Sequence, residues 1–501
     1  MEWFKRYYVN LMVDFSNKKS APVIYEDHPN YSNLIGRIDH QAYMGSLVTD
    51  FTMIKPGALH KANGGYLIID ARKLLVQPYA WDTLKRTLQS GEIRIESLER
   101  ALSLISASSL EPEPIPLNLK LILIGEPLIY YLLCEYDPEF HDLFKIAADF
   151  DTSVTRENSD HDYARLLATI ARREKLKPLS LNAVARVIEH SSRMSGDAEK
   201  LLTHLRSITD LLTEADYWAE NNGHEHIANS DVQQAIDHKT HRLDKLREKL
   251  YEHIHRGTVL IDTEGKVTGQ VNGLSVLQLG EFSFGQPSRI TATTRLGSGK
   301  VVDIERETEL GGALHSKGVL ILSSFIAARY SRKTPFSVSA SLVFEQSYGH
   351  VEGDSASLAE LCTILSSIAQ IPLRQELAIT GSVNQLGNVQ PIGGVNEKIE
   401  GFFDICAKKG LTGTQGVIIP ATNIKHLMLR WDVVHAAQSG QFNIYAVSHV
   451  DEAIELLSGM QAGGVNEQGV YQPDSFNGQV EAQLAEFTQI KKAFTSKSRE
   501  E

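Results

Sequence analysis

Cysteine is scarce in this chain of 501 residues. Cys134, Cys362 and Cys406 are odd in number and far apart, which argues against a disulfide framework and points to a reducing, cytoplasmic setting. Long apolar runs are also missing: none approaches the ~18–20 residues of a membrane-spanning helix. The amino terminus, Met1-Glu2-Trp3-Phe4-Lys5-Arg6, lacks the apolar stretch of a secretory leader. Positive charge is in deficit, with 50 Lys and Arg against 62 Asp and Glu, and the net charge of −12 argues against a broad nucleic-acid footprint. The 18 histidines are scattered. His224-Glu225-His226 does not have the spacing of a zinc motif, so no metal site is expected. Internal repeats are not evident.

A phosphate-binding loop, G-x-x-x-x-G-K-[ST], is absent as well. The nearest string is Gly297-Ser298-Gly299-Lys300, with Thr294 in place of the first glycine and Val301 in place of Ser or Thr. Without that loop nothing is available to cradle the β- and γ-phosphates of a nucleotide. What remains is ordinary globular composition, 42% hydrophobic and 22% charged, in a chain long enough for two to four domains.

Two local frames stand out. Gly353-Asp354-Ser355-Ala356-Ser357 opens a segment that is apolar nearly all round, which predicts a buried helix from about Ser355 to Ile371, ahead of Pro372. Ser355 would lie in its first turn, where free N–H groups and the helix dipole could seat an oxyanion. Pro391-Ile392-Gly393-Gly394-Val395-Asn396-Glu397-Lys398 opens a second helix, which closes at Lys408, Lys409 and Gly410. Lys398 shares a face with Val395 and Phe402, and a lysine on an apolar face must pair, snorkel or lose its proton. Taken singly, Asp354 or Ser355 reads as a helix cap and Lys398 as a surface lysine. Together they offer a serine that needs a base and a lysine that desolvation could turn into one.

Residues 257–459 resemble the proteolytic domain of the Lon family of serine–lysine proteases. The resemblance rests on Gly269-Gln270-Val271-Asn272-Gly273-Leu274, Gly353 to Ser357, Thr380-Gly381-Ser382, Leu386-Gly387-Asn388-Val389 and Pro391 to Lys398, in family order. It implies that Ser355 is the nucleophile, Lys398 the general base and Thr380 the hydroxyl that holds the lysine. Asp354 before the serine is typical of the B-type and C-type branches and becomes a candidate contact of the pair. Glu345, near the end of the alternating strand Val338–Phe344, is a further candidate, with a solvated strand end as the plainer reading.

Ahead of this region, Gly64-Gly65-Tyr66-Leu67-Ile68-Ile69-Asp70 has the form of a Walker B strand, whose acid would help to hold Mg²⁺. With Gly57 to Asn63 before it and a core strand at Leu119–Gly125 after it, the segment resembles the ATPase module of B-type Lon. Ala71 stands where an active ATPase usually has Glu. Asp70 is therefore a vestigial cofactor residue, and ATP with Mg²⁺ is not expected to be needed for peptide cleavage. Helical periodicity at Arg165–Glu174, Asn182–His190 and Lys200–Trp218 resembles an AAA lid, with His204 and Arg206 near the place of a nucleotide sensor, and His238–His255 reads as one charged linker helix.

The expected fold class is α/β and α+β multidomain. It comprises a partial AAA-like α/β module at 1–155, a helical lid at 156–240, a linker helix at 241–256, a Lon-type α+β proteolytic domain at 257–460 and a polar, partly disordered tail at 461–501. The expected function is a serine endopeptidase that degrades unfolded or loosely folded polypeptides, without membrane or nucleic-acid partners, and the family resemblance implies that it works as a homo-hexamer. Two alternatives stay open: the C-terminal part of an ATP-dependent protease whose P-loop is missing from this chain, and a chaperone-like ring scaffold.

Overall fold

The structure is a computed structural model that describes residues 4, 7–16, 19–43, 46–96, 110–297, 299–331 and 337–497. The chain forms two compact units, Met1–Phe150 and Asp151–Glu501.

In the first unit, strands β1 (Val23–Glu26), β2 (Tyr66–Asp70) and β3 (Lys120–Ile124) form a parallel sheet with β2 in the centre. Leu67 and Ile69 of β2 point into a core with Leu34, Leu59, Leu74 and Leu84. Asp70 ends β2 and caps the next short helix, accepting the Lys73 backbone N–H at 2.9 Å.

The second unit begins with helices. The expected amphipathic run at Lys200–Trp218 is divided: β5 (Lys200–Leu202) pairs antiparallel with β4 (Ser153–Thr155) before the helix resumes. The lid helices are α1 (Asp160–Arg173), α2 (Leu181–Ser195), α3 (Leu205–Asn221) and α4 (Asn229–Leu243). Leu167, Val187, Leu212 and Val232, one from each, share their core. The expected single linker helix is also broken. The break falls at Asp244, which ends α4 and whose carbonyl starts α5 (Lys245–His255), while its buried carboxylate takes Arg247 at 2.7 Å.

A seven-stranded mixed sheet follows. Its strands are β6 (Gln270–Leu279), β7 (Phe282–Leu296), β8 (Val301–Asp303), β9 (Val338–Phe344), β10 (Leu377–Ile379), β11 (Gly416–Pro420) and β12 (Asn443–Val447), in the spatial order β8-β9-β7-β6-β10-β11-β12. The β6–β7 hairpin and its β7–β9 neighbour are antiparallel, whereas β6, β10, β11 and β12 run parallel. Gly297 to Lys300, the string nearest to a phosphate loop in the sequence, lies between β7 and β8, inside the proteolytic domain, with Ser298 outside the described residues.

Strand alternation sends neighbouring side chains into different cores. Ile379 and Ile418 join helices α6 (Ala313–Tyr330), α7 (Ser357–Ala369) and α9 (Val450–Ser458). Ala378, Val417 and Ile419 join α5 and α8 (Val395–Lys409). The helix that follows the serine and the helix that carries the lysine thus cover opposite faces of one sheet. Both can meet only at the end of a strand between them.

Residues 461–497 are not the loose tail that the composition of 461–501 suggests; 498–501 lie outside the described residues. Helix α10 (Phe476–Lys497) buries Phe476, Val480 and Leu484, spaced four apart, in the core that holds α7. The Asn477 side chain takes the Tyr330 hydroxyl at 2.5 Å and fastens the start of that helix. Three well-placed apolar side chains outweigh a polar average, because one helical stripe suffices for docking. Among the described residues no helix is long and apolar enough to cross a membrane.

Candidate active site

The site is built where β10 ends. Leu377, Ala378 and Ile379 are fully buried, so this central strand has little freedom, and Thr380 follows it with its own N–H bonded to Ile418 O at 3.0 Å. The carboxyl end of a parallel strand is where α/β sheets commonly place functional groups.

Ser355 reaches this point from one face. It precedes α7 rather than lying in its first turn. The reason is the fate of its carbonyl, which accepts Gly381 N–H at 2.8 Å and Thr380 Oγ1–H at 3.1 Å. Spent on the sheet, that carbonyl is not available to a helix, and the first helical residue is Ser357. The other end of α7 also comes earlier than expected: Gln370 adopts a left-handed conformation (φ 56°) and closes the helix before Pro372. All 13 residues of α7 are buried, as its apolar pattern requires, but they include Glu360.

Lys398 comes from the opposite face. Gly394 caps α8 in a left-handed conformation (φ 66°) that a glycine adopts without penalty, and its carbonyl receives the Lys398 N–H at 3.0 Å. The helix then presses against β7 at Gly285. A Cβ on Gly285 would stand 2.0 Å from Glu397 O, and one on Gly401 would stand 2.4 Å from Gly285 O. Only paired glycines permit that approach, which sets the depth at which Lys398 enters.

The side chains converge closely. Nζ of Lys398 lies 2.9 Å from Ser355 Oγ and 3.1 Å from Thr380 Oγ1. Lys398 is only 3% exposed, Thr380 is fully buried and Ser355 is half-buried. Burial drives the Lys398 ammonium down from its usual range to about 8, with the Asp354 carboxylate opposing that shift. The Thr380 hydroxyl proton is committed to Ser355 O, which leaves Oγ1 as an acceptor for a lysine N–H. A neutral amine held in that way can turn its lone pair to Ser355.

Asp354 is exposed beside this pair and accepts Ser382 Oγ–H at 2.8 Å. Glu345 is not part of the cluster. It stands exposed at the end of β9, where it accepts Thr291 Oγ1–H at 2.8 Å, and among the described residues no hydrogen bond joins it to Ser355, Thr380 or Lys398. Asp70 lies in the other unit, and its carboxylate is engaged as a helix cap. His204 and Arg206 are exposed at the start of α3.

Two features escape sequence reasoning. Arg193, in the last turn of lid helix α2, donates to Glu397 Oε1 at 2.8 Å and to both Glu400 oxygens at 2.7 and 3.0 Å, gripping α8 on either side of Lys398. No local signal separates it from an ordinary basic residue at a helix end. The second is a core cluster of Asp303, Glu305, His315 and Glu360, for which the short Asp-x-Glu spacing before a histidine was the available sign.

Comparison with known proteins follows this geometry. Residues 19–151 match the family model "LonB-like, AAA domain", residues 178–242 match "Archaeal LonB, AAA+ ATPase LID domain", and residues 343–458 match "Lon protease (S16) C-terminal proteolytic domain". A Lon protease homologue of Escherichia coli K12 is 37% identical over 409 residues, 81% of this chain and 68% of the relative. A second, from Haemophilus influenzae, is 37% identical over 415 residues, covering 81% and 66%. An archaeal Lon protease of Thermococcus kodakarensis is 26% identical over 456 residues, covering 89% and 68%. The chain therefore spans about two thirds of the length of these relatives. With a proteolytic-domain match over the segment that holds Ser355, Thr380 and Lys398, and with this identity to the E. coli homologue, the chain belongs to the Lon protease family.

Proposed function

We propose that this chain is a serine endopeptidase in which Lys398 activates Ser355, and that it acts on unfolded or loosely folded polypeptides. The observation that carries the reading is the 2.9 Å approach of a buried lysine, its pKa lowered to about 8, to a half-buried serine. Neutral Lys398 takes the Oγ proton as Ser355 attacks the scissile carbonyl carbon. The C–N bond then breaks, the new ammonium of Lys398 returns the proton to the leaving amine, and an acyl ester remains on Ser355. Water attacks that ester, with Lys398 again as base, and releases the acid and the serine. Thr380 acts throughout by holding the amine.

The developing oxyanion falls to backbone N–H groups at the serine turn. Those of Ser357 and Leu358 are already bonded to Asp354 O and Gly381 O, so we assign the role to Ser355 and Ala356.

We further propose that peptide cleavage needs no nucleotide from this chain. Its sequence has no phosphate-binding loop, and Asp70 has a local task as a helix cap. A cytoplasmic homo-hexamer that encloses the sites is part of the same reading, by analogy with the family, and light scattering on the purified chain tests it.

The deciding experiment follows cleavage of an unfolded protein and of a stable folded domain, each with and without Mg-ATP. We expect the unfolded protein to be cut equally in both conditions and the folded domain to resist, since about 5–15 kcal/mol of unfolding has no energy source. Ser355→Ala should abolish cleavage. Residual wild-type turnover in that variant would overturn the peptidase assignment. Degradation of the folded domain coupled to ATP hydrolysis would refute nucleotide independence and favour a protease whose phosphate loop lies outside this sequence.

A further inference from the structure

The cluster missed by sequence reasoning lies deep in the proteolytic domain. Asp303 ends β8, Glu305 lies in the short helix Ile304–Glu307, His315 in α6 and Glu360 in α7. All four are at most 3% exposed. Three carboxylates stand against a single imidazole, an arrangement that a low-dielectric core tolerates only if protons or a cation neutralise it.

The geometry points to a cation. One ligand-type atom from each of Asp303, Glu305 and His315 lies within 4.8 Å of the other two. His315 Nε2 approaches Asp303 Oδ2 to 3.1 Å, the distance of an ion pair, yet the two atoms are not aligned as a hydrogen bond. Such closeness without alignment is how two ligands of one ion stand to each other. Asp303 Oδ1 and Glu305 Oε2 are likewise buried without a hydrogen-bond partner, whereas Glu305 Oε1 accepts the Phe344 N–H at 2.9 Å. The other ring nitrogen, Nδ1 of His315, lies 3.5 Å from Glu360 Oε1. Metal-bound histidines are commonly oriented by a carboxylate at that second nitrogen.

We propose that Asp303, Glu305 and His315 hold one divalent transition-metal ion, with Glu360 positioning His315 from the helix that follows the serine. An imidazole with two carboxylates suits Zn²⁺ or Mn²⁺, whereas Mg²⁺ and Ca²⁺ favour all-oxygen sites. The ion would be structural. It would neutralise the cluster and tie β8 and α6 to α7, so the inference does not rest on the peptidase reading.

The test uses the whole chain. Elemental analysis of protein purified without added metal should find about one equivalent of Zn or Mn per chain. Chelation should lower Tm by several degrees, and Zn²⁺ or Mn²⁺ alone should restore it. Asp303→Asn and His315→Gln should lose the ion. If those variants fail to fold, Glu360→Gln, which keeps all three ligands, should weaken affinity by about 10–100-fold, the usual cost of losing such an outer partner. Metal-free wild-type protein whose Tm responds to neither chelator nor added ion overturns the proposal and leaves shared protons as the neutralising agent. An ion kept in full by both folded ligand variants overturns it as well, by placing the metal elsewhere.

Discussion

The strongest test of the dyad is its response to pH. A lysine with its ordinary pKa near 10.5 would be neutral in about three molecules in ten thousand at pH 7. Lowered to about 8, Lys398 is neutral in about a tenth of molecules at pH 7 and about nine tenths at pH 9. Initial rates of kcat/KM on a fluorogenic peptide should therefore rise about tenfold over that interval and level off above it. Asp354 favours the ammonium, so Asp354→Asn should move the midpoint to lower pH. The same burial affects stability. Below pH 8 both folded and unfolded chains carry the proton and the full penalty of a buried ammonium is felt. Between 8 and 10.5 the unfolded chain binds more protons, so the Lys398 contribution to stability rises with pH by on the order of 3 kcal/mol in all. Lys398→Met should accordingly be inactive and yet more stable than wild type at pH 7, and Lys398→Arg should be inactive because a guanidinium keeps its proton. A pH-independent rate between 7 and 9, or an arginine variant with wild-type turnover, would refute the argument.

Thr380→Val removes the oxygen that holds Lys398 at nearly constant volume, and kcat should fall about tenfold to a thousandfold with the fold intact; unchanged kcat would leave Thr380 a bystander. Arg193→Met strands the half-buried carboxylate of Glu397 and the buried one of Glu400, which should cost about 3 kcal/mol in urea unfolding, and Glu400→Gln in the same chain should recover part of it. Additive losses in that pair would show that the contact does not couple lid to lysine helix. Phe476→Ala should cost about 3–5 kcal/mol, because its ring is fully buried beside α7, and a loss below about 1 kcal/mol would detach α10 from the core.

Local patterns were legible where a physical rule operates within a few residues. The alternation of Val338–Phe344, the apolar run after Ser357 and the Gly394 to Gly410 frame of the lysine helix are encoded by periodicity and caps, and the structure places those elements there. The tail was misread because composition was averaged over 41 residues, 461 to 501, while docking depends on Phe476, Val480 and Leu484 alone. The expected single linker helix is two helices that meet at Asp244, whose buried side chain takes Arg247, a pairing that charge patterning does not specify.

For the candidate site, the sequence by itself determined which residue types were available: a serine and a lysine in well-formed frames, 43 positions apart (398 − 355), with a threonine between them. Only the tertiary structure decided that they touch. Ser355 approaches from the α7 face and Lys398 from the α8 face, and their meeting depends on where β10 ends and on how closely Gly285 and Gly401 let helix and strand approach. The lowered pKa of Lys398 belongs to the same class of property. Desolvation is set by the side chains that surround the amine from distant parts of the chain, and that enclosure exists only once the sheet and both helices have packed.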